Sequence, residues 1–141
     1  LLAEVPTAFH AGIQDILLIG FALALAEFLD TTQVGIDVEG HGRHEDLAAE
    51  VDLSRTVGWF TTKYPVALTG AGLPWTHVRT GAEALGAVIK AAKEQLRALP
   101  DPLTYGLLRY LNREIELPHT DPVIGFNYLG RLGAAAGEAS E

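Results

Sequence analysis

The run Gln33-Val34-Gly35-Ile36-Asp37-Val38-Glu39 constrains the fold of this chain more than any other stretch. Small or β-branched apolar residues alternate with polar ones, which is the period of a strand. The strand has to stop at Glu39. Beyond it, Gly40-His41-Gly42-Arg43 places two glycines in three positions and defeats helix and strand alike. A carboxylate is therefore expected at the carboxyl end of a strand, beside a loop.

Residues 7–29 are rich in Leu, Ile and Ala, with only Gly12 and Gly20 as breakers. Such a stretch is apolar on most faces and predicts a long, largely buried helix. Asp15 stands near its start, where a carboxylate favours the positive end, and Asp30-Thr31-Thr32 closes it. After the loop, residues 44–51 read as one or two helical turns. Residues 56–68 carry Val57, Trp59, Phe60, Tyr64, Val66 and Leu68 with Pro65 among them. Proline in a strand implies an edge or a break, so two short strands or one interrupted strand are expected.

Residues 69–74 form a turn-rich connection, and residues 76–99 predict the second long helix. There Val78, Ala82, Leu85, Val88, Ile89, Ala92 and Leu96 recur at spacings of three and four. Pro100-Asp101-Pro102 ends it. Residues 105–112 suggest a short third helix, and residues 121–128 a last strand ending at Gly130. From residue 132 onward, small residues and an acidic end suggest a linker or flexible tail. The expected class is α/β, a mixed sheet flanked by helices, because the connections are too short for a regular doubly wound sheet.

Composition narrows the function classes. The 141 residues suffice for one compact core. A net charge of −8, from 18 acidic and 10 basic residues without a basic cluster, argues against a nucleic-acid partner. The absence of cysteine excludes disulfides, thiolate metal sites and a cysteine nucleophile. The longest apolar run, residues 16–26, is too short to span a bilayer, so no membrane association is expected and a cytoplasmic location is the default. The chain opens on Leu1 and holds no Met, which suggests a piece excised from a longer polypeptide.

Three places carry chemistry. Glu39, at a strand end among glycines, suits a general base in a cleft, although the same spacing fits a tight turn with solvated charges. His41 between two glycines suits proton transfer, or equally a loop-orienting hydrogen bond. His10, His44, His77 and His119 are scattered without zinc-binding spacing, so no metal site is expected. In the second place, Arg55-Thr56-Val57-Gly58-Trp59-Phe60-Thr61, the aromatic pair most simply fills a core, while Arg55 and Thr61 reach a pocket if the segment lines a channel. The third is Phe126-Asn127-Tyr128-Leu129-Gly130-Arg131. Strand alternation lets one of Asn127 and Tyr128 face a cleft while the other packs.

Several runs together bear a family likeness. They are Asp15-Ile16-Leu17-Leu18, the run from Glu39 to Arg43, the run from Asp52 through Trp59-Phe60-Thr61-Thr62-Lys63-Tyr64-Pro65-Val66, then Tyr105-Gly106-Leu107-Leu108-Arg109-Tyr110-Leu111, and Phe126 to Arg131. In that order they resemble the later motifs of nonribosomal peptide synthetase epimerisation domains, in the condensation-domain superfamily. The resemblance covers residues 1–131. It implies one lobe, the C-terminal one, of a two-lobed fold like chloramphenicol acetyltransferase, with the active-site channel between the lobes. The family's HHxxxDG run belongs to the other lobe and is absent here, so its histidine has no counterpart in this chain. Two departures stand out. His44 then Glu45 follow Arg43 where the family usually has a glutamate, and Pro102-Leu103-Thr104 replaces a glycine-rich lead into Tyr105.

The resemblance implies isomerase chemistry. A neighbouring peptidyl carrier domain would present an aminoacyl or peptidyl thioester on its 4'-phosphopantetheine arm, with no cofactor bound directly. Glu39 would be one acid/base and the histidine of the N-terminal lobe its counterpart. Asn127 and Tyr128 would shape the cleft or steady the enolate, and His41, Arg43, Arg55 and Trp59 would belong to the loop and substrate channel. The lobe alone would be inactive and prone to self-association through surface that its partner lobe covers. A condensation domain forming peptide bonds, or a non-catalytic docking lobe, are the competing readings.

Overall fold

Val34, Ile36 and Val38 are all buried, and Ile36 and Val38 are 0% exposed. The alternation read from the sequence is thus a strand with one face in the core. The computed structural model describes residues 4–40, 52–69, 73–81, 83–117 and 120–130. Within them the order is α1 (Glu4–Phe9), α2 (Ile13–Phe28), β1 (Gln33–Gly40), β2 (Thr62–Thr69), α3 (Trp75–Thr80), α4 (Glu83–Arg97), α5 (Pro102–Gly106), a π-helical turn (Leu107–Leu111) and β3 (Gly125–Asn127). The segments at residues 44–51 and 132–141, given a helical turn and a tail by the sequence, lie outside the described residues.

β1 is the central strand of the order β2-β1-β3, antiparallel to β2 and parallel to β3. The sheet is mixed, as expected. Its apolar face, with Val34, Ile36, Val38, Val66 and Leu68, shares one core cluster with Leu18, Ile19, Ala22, Leu23 and Ala26 of α2 and Ala92 of α4. Leu85, Val88, Ile89 and Leu96 of the predicted helical stripe pack partly buried against it.

β2 is one unbroken strand, and backbone direction explains why Pro65 does not interrupt it. The Asp37 N–H donates to Ile124 O at 2.8 Å, so the odd residues of β1 turn their backbone groups toward β3. Asp37 is the register partner of Pro65. That pair is therefore a non-hydrogen-bonded one, and the nitrogen of Pro65 faces the free edge, where no ladder bond is lost. Residues 56–61, expected to belong to the strand, precede β2, which begins at Thr62.

Three predicted elements are shorter or divided. The helix expected over residues 7–29 is two helices, separated where His10 takes φ 49°. Gly12 then starts α2, its N–H donating to Asp15 Oδ2 at 3.0 Å, which ties the first turn back to the entering chain. α2 is also less buried than its composition suggested, with Phe28 84% exposed. α2 and α4 pack on the apolar face of the sheet and α5 lies against β2, and the outer side of α2 does not reach that core. That side instead lines an apolar groove of about 1070 Å3 between Ile16, Leu17 and Phe21 of α2 and Leu85 and Ile89 of α4.

The second long helix is likewise divided. Gly81 takes φ 63°, a left-handed cap that ends α3 before α4 begins. The third helix starts earlier than expected, because Asp101 Oδ1 accepts the Leu103 N–H at 2.8 Å with Pro102 just inside. β3 spans only three residues of the expected 121–128. Pro122 lacks a donor and rests its ring against Gly35 instead.

Ile36→Ala should cost about 2–5 kcal/mol in urea unfolding of the chain, whereas Pro65→Thr should cost no more than about 1 kcal/mol. A larger loss at Pro65 than at Ile36 would contradict the edge placement of that nitrogen.

Candidate active site

Parallel pairing of β1 with β3 places Asn127 in register with Glu39. Their side chains share one face of the sheet, and Asn127 Nδ2 donates to Glu39 Oε2 at 2.8 Å. Glu39 is partly buried and Asn127 exposed. A neutral amide thus fixes the carboxylate while leaving it acceptor capacity. Gly40 allows the close approach beyond it: a Cβ there would stand 3.1 Å from Thr62 Oγ1, tighter than ordinary van der Waals contact.

Two further charges stand on the same face. Lys63 of β2 is the register partner of Glu39, yet its Nζ lies 2.8 Å from Asp37 Oδ2. Asp37 is only 5% exposed, and its Oδ1 is buried without a hydrogen-bond partner among the described residues. The Asp37 hydrogen bond and charge raise the Lys63 pKa above the ordinary lysine value, with smaller help from Asp121 and Tyr110.

A second polar cluster forms after the α5 turn. Tyr105 Oη donates to Asp121 Oδ1 at 3.1 Å, and Arg109 Nη1 donates to both of these oxygens. The guanidinium also lies 5.6 Å from the Tyr105 ring centre and 5.8 Å from that of Tyr110. Burial is the largest cause of a raised Tyr105 pKa. This cluster secures the chain between the π-helical turn and β3, the stretch that delivers Asn127.

The remaining predicted site residues are dispersed. Tyr128 lines a separate open cavity of about 640 Å3 with Gln14, Gly58, Trp59, Phe60 and Thr61, and Glu39 is not part of its wall. Asn127, the last residue of β3, meets Glu39, whereas Tyr128 lies beyond the strand and lines this other cavity instead of packing. Arg55 is exposed. Trp59 is 89% exposed, which corrects the expectation of a core filler. Its segment has no strand partner among the described residues, so no sheet face among them carries the indole into the core. His41 and Arg43 lie outside the described residues.

Asp37 and Lys63 escaped the sequence reading. A signal was present, since acidic residues at positions 37 and 39 of an alternating strand must share a face. Recognising Lys63 as their neighbour required the strand register, which a single sequence does not supply.

The Condensation domain family model matches residues 1–141, the whole chain. The chain belongs to the condensation-domain family. Surfactin synthase subunit 2 of Bacillus subtilis (strain 168) is 43% identical over 133 residues, covering 94% of this chain and 3% of that protein. Bacitracin synthase 3 of Bacillus licheniformis is 40% identical over 136 residues, covering 94% of this chain and 2% of its own length. The chain therefore spans only a few per cent of the synthases it matches. Among solved structures, the epimerization domain from the third module of tyrocidine synthetase B aligns with a TM-score of 0.75 at 37% identity, over 94% of this chain and 29% of that one.

The Lys63 shift gives a stability test. A raised lysine pKa contributes stability that is fully present below the ordinary value of 10.5 and is lost as pH rises through the higher folded value. Lys63→Met should therefore be less stable than wild type near neutrality, and the gap should narrow above pH 10.5. A gap that stays constant through that range, measured by urea unfolding, would contradict the Asp37–Lys63 pairing.

Proposed function

We propose that this chain is part of a nonribosomal peptide synthetase epimerisation domain, in which Glu39 exchanges a proton with Cα of a carrier-bound aminoacyl or peptidyl thioester. The Glu39–Asn127 pair carries the reading: a partly buried carboxylate at the end of the central strand, held by a neutral donor. The likeness in fold and sequence to the tyrocidine synthetase epimerization domain supports it.

The thioester carbonyl acidifies the Cα proton, and removing it leaves an enolate that needs electrostatic support. Inversion requires proton removal on one face and delivery on the other. Glu39 takes or returns the proton on its face. The counterpart is the histidine of an HHxxxDG run in an N-terminal lobe, outside this chain. When Glu39 accepts the proton, the counterpart donates one to the opposite face, so proton count and charge balance over the cycle. Asn127 keeps Glu39 oriented, and Tyr128 shapes the neighbouring cavity. The substrate arrives on the 4'-phosphopantetheine arm of a peptidyl carrier domain, and this chain alone is inactive.

Partial burial of Glu39 and its hydrogen bond weigh against a solvated docking lobe. A condensation activity would instead give an elongated peptide. In the complete domain that contains this chain, Glu39→Gln should slow exchange of the Cα hydrogen for solvent deuterium by about 10²–10⁴-fold, the span of general acid–base catalysis. Unchanged exchange, or an elongated product in place of a racemised thioester, would overturn the proposal.

A further inference from the structure

Lys63 is a cation placed where it should compromise Glu39. The two are register partners on one face of an antiparallel pair. Because odd residues of β1 direct their backbone groups toward β3, the pair is a non-hydrogen-bonded one, the arrangement that brings facing side chains closest. Opposite charges directly across two strands attract. Yet the Lys63 ammonium bonds Asp37 at 2.8 Å, and no ion pair joins it to Glu39. Glu39 is bonded by the neutral Asn127 amide instead.

We propose that Asp37 is a positioning residue that diverts Lys63 from Glu39, keeping that cation off the carboxylate and leaving it available as a base. This rests on the proton-transfer reading of Glu39 given above. Burial makes Asp37 effective, because a carboxylate 5% exposed, with Oδ1 unpartnered among the described residues, has little water to satisfy it and holds its cation firmly. Lys63 responds with a raised pKa, caused first by Asp37. The other groups acting on Lys63, Asp121 and Tyr110, contribute less, and Arg109 already engages Asp121. Without Asp37, the carboxylate directly across the strand pair from Lys63 is that of Glu39 itself. A carboxylate with a cation beside it is a weaker base.

The test is a set of variants in the complete domain, read as deuterium exchange at Cα of a carrier-bound aminoacyl thioester across pH. Asp37→Asn should lower kcat by about tenfold or more with little change in KM, and shift the acidic limb of the pH profile down by about one unit. Asp37→Asn with Lys63→Met should return both toward wild type, because the diverted cation is gone. If the double variant stays as slow as Asp37→Asn, or if Asp37→Asn keeps the wild-type rate and profile, the diverting role is overturned. Lys63→Met with Asp37 intact adds an arm that does not depend on recovering folded Asp37→Asn. Wild-type kcat there supports the proposal, and lost exchange overturns it by making Lys63 a participant. Glu39→Gln separates the two claims. Exchange that survives it removes the reading of Glu39 and this proposal together, whereas exchange lost there but not rescued in the double variant removes this one alone.

Discussion

The hydrogen bond from the Asp37 N–H to Ile124 O fixes which way β1 faces its two neighbours. With that direction set, odd residues address β3 through the backbone and even residues address β2. The side chains of Val34, Ile36 and Val38 enter the core, while Asp37 and Glu39 line the opposite face. The same direction makes Pro65 tolerable, brings Asn127 level with Glu39, and sets Lys63 directly across from it. One parallel contact thus organises both the core and the polar face.

That polar face divides its partners by charge. The buried carboxylate holds the cation, and the more accessible carboxylate holds the amide. Coulomb attraction at a few ångströms strengthens as water is excluded, so Asp37 is the stronger competitor for Lys63. The Tyr105–Arg109–Asp121 cluster supports this division from outside the sheet, since it anchors the chain entering β3 and occupies Asp121 with Arg109.

Much of this is legible in the sequence, for identifiable reasons. Strict alternation from Gln33 and the glycines after Glu39 locate the central strand and its end, because both signals act within a few residues. The division of the long helices is not legible. Gly81 looks like one small residue near the start of an amphipathic stripe, and only its positive φ ends α3. Pro65 signals an edge or a break, and the choice between them depends on backbone direction in the neighbouring strand. Trp59 misleads for a related reason, since a strand's aromatic reaches the core only where the sheet carries that strand, and β2 begins beyond it. Asn127 stands out as a candidate, but its bond to Glu39, like the role of Lys63, spans a distance in sequence that only register resolves.

The most direct test of the central claim is a structure of the complete domain with a carrier-bound, non-hydrolysable aminoacyl thioester analogue. The expected result is a Glu39 carboxylate oxygen about 3–3.5 Å from Cα, still bonded to Asn127, with Lys63 on Asp37. A Glu39 carboxylate turned away from Cα, or paired with Lys63 while substrate is bound, would contradict it.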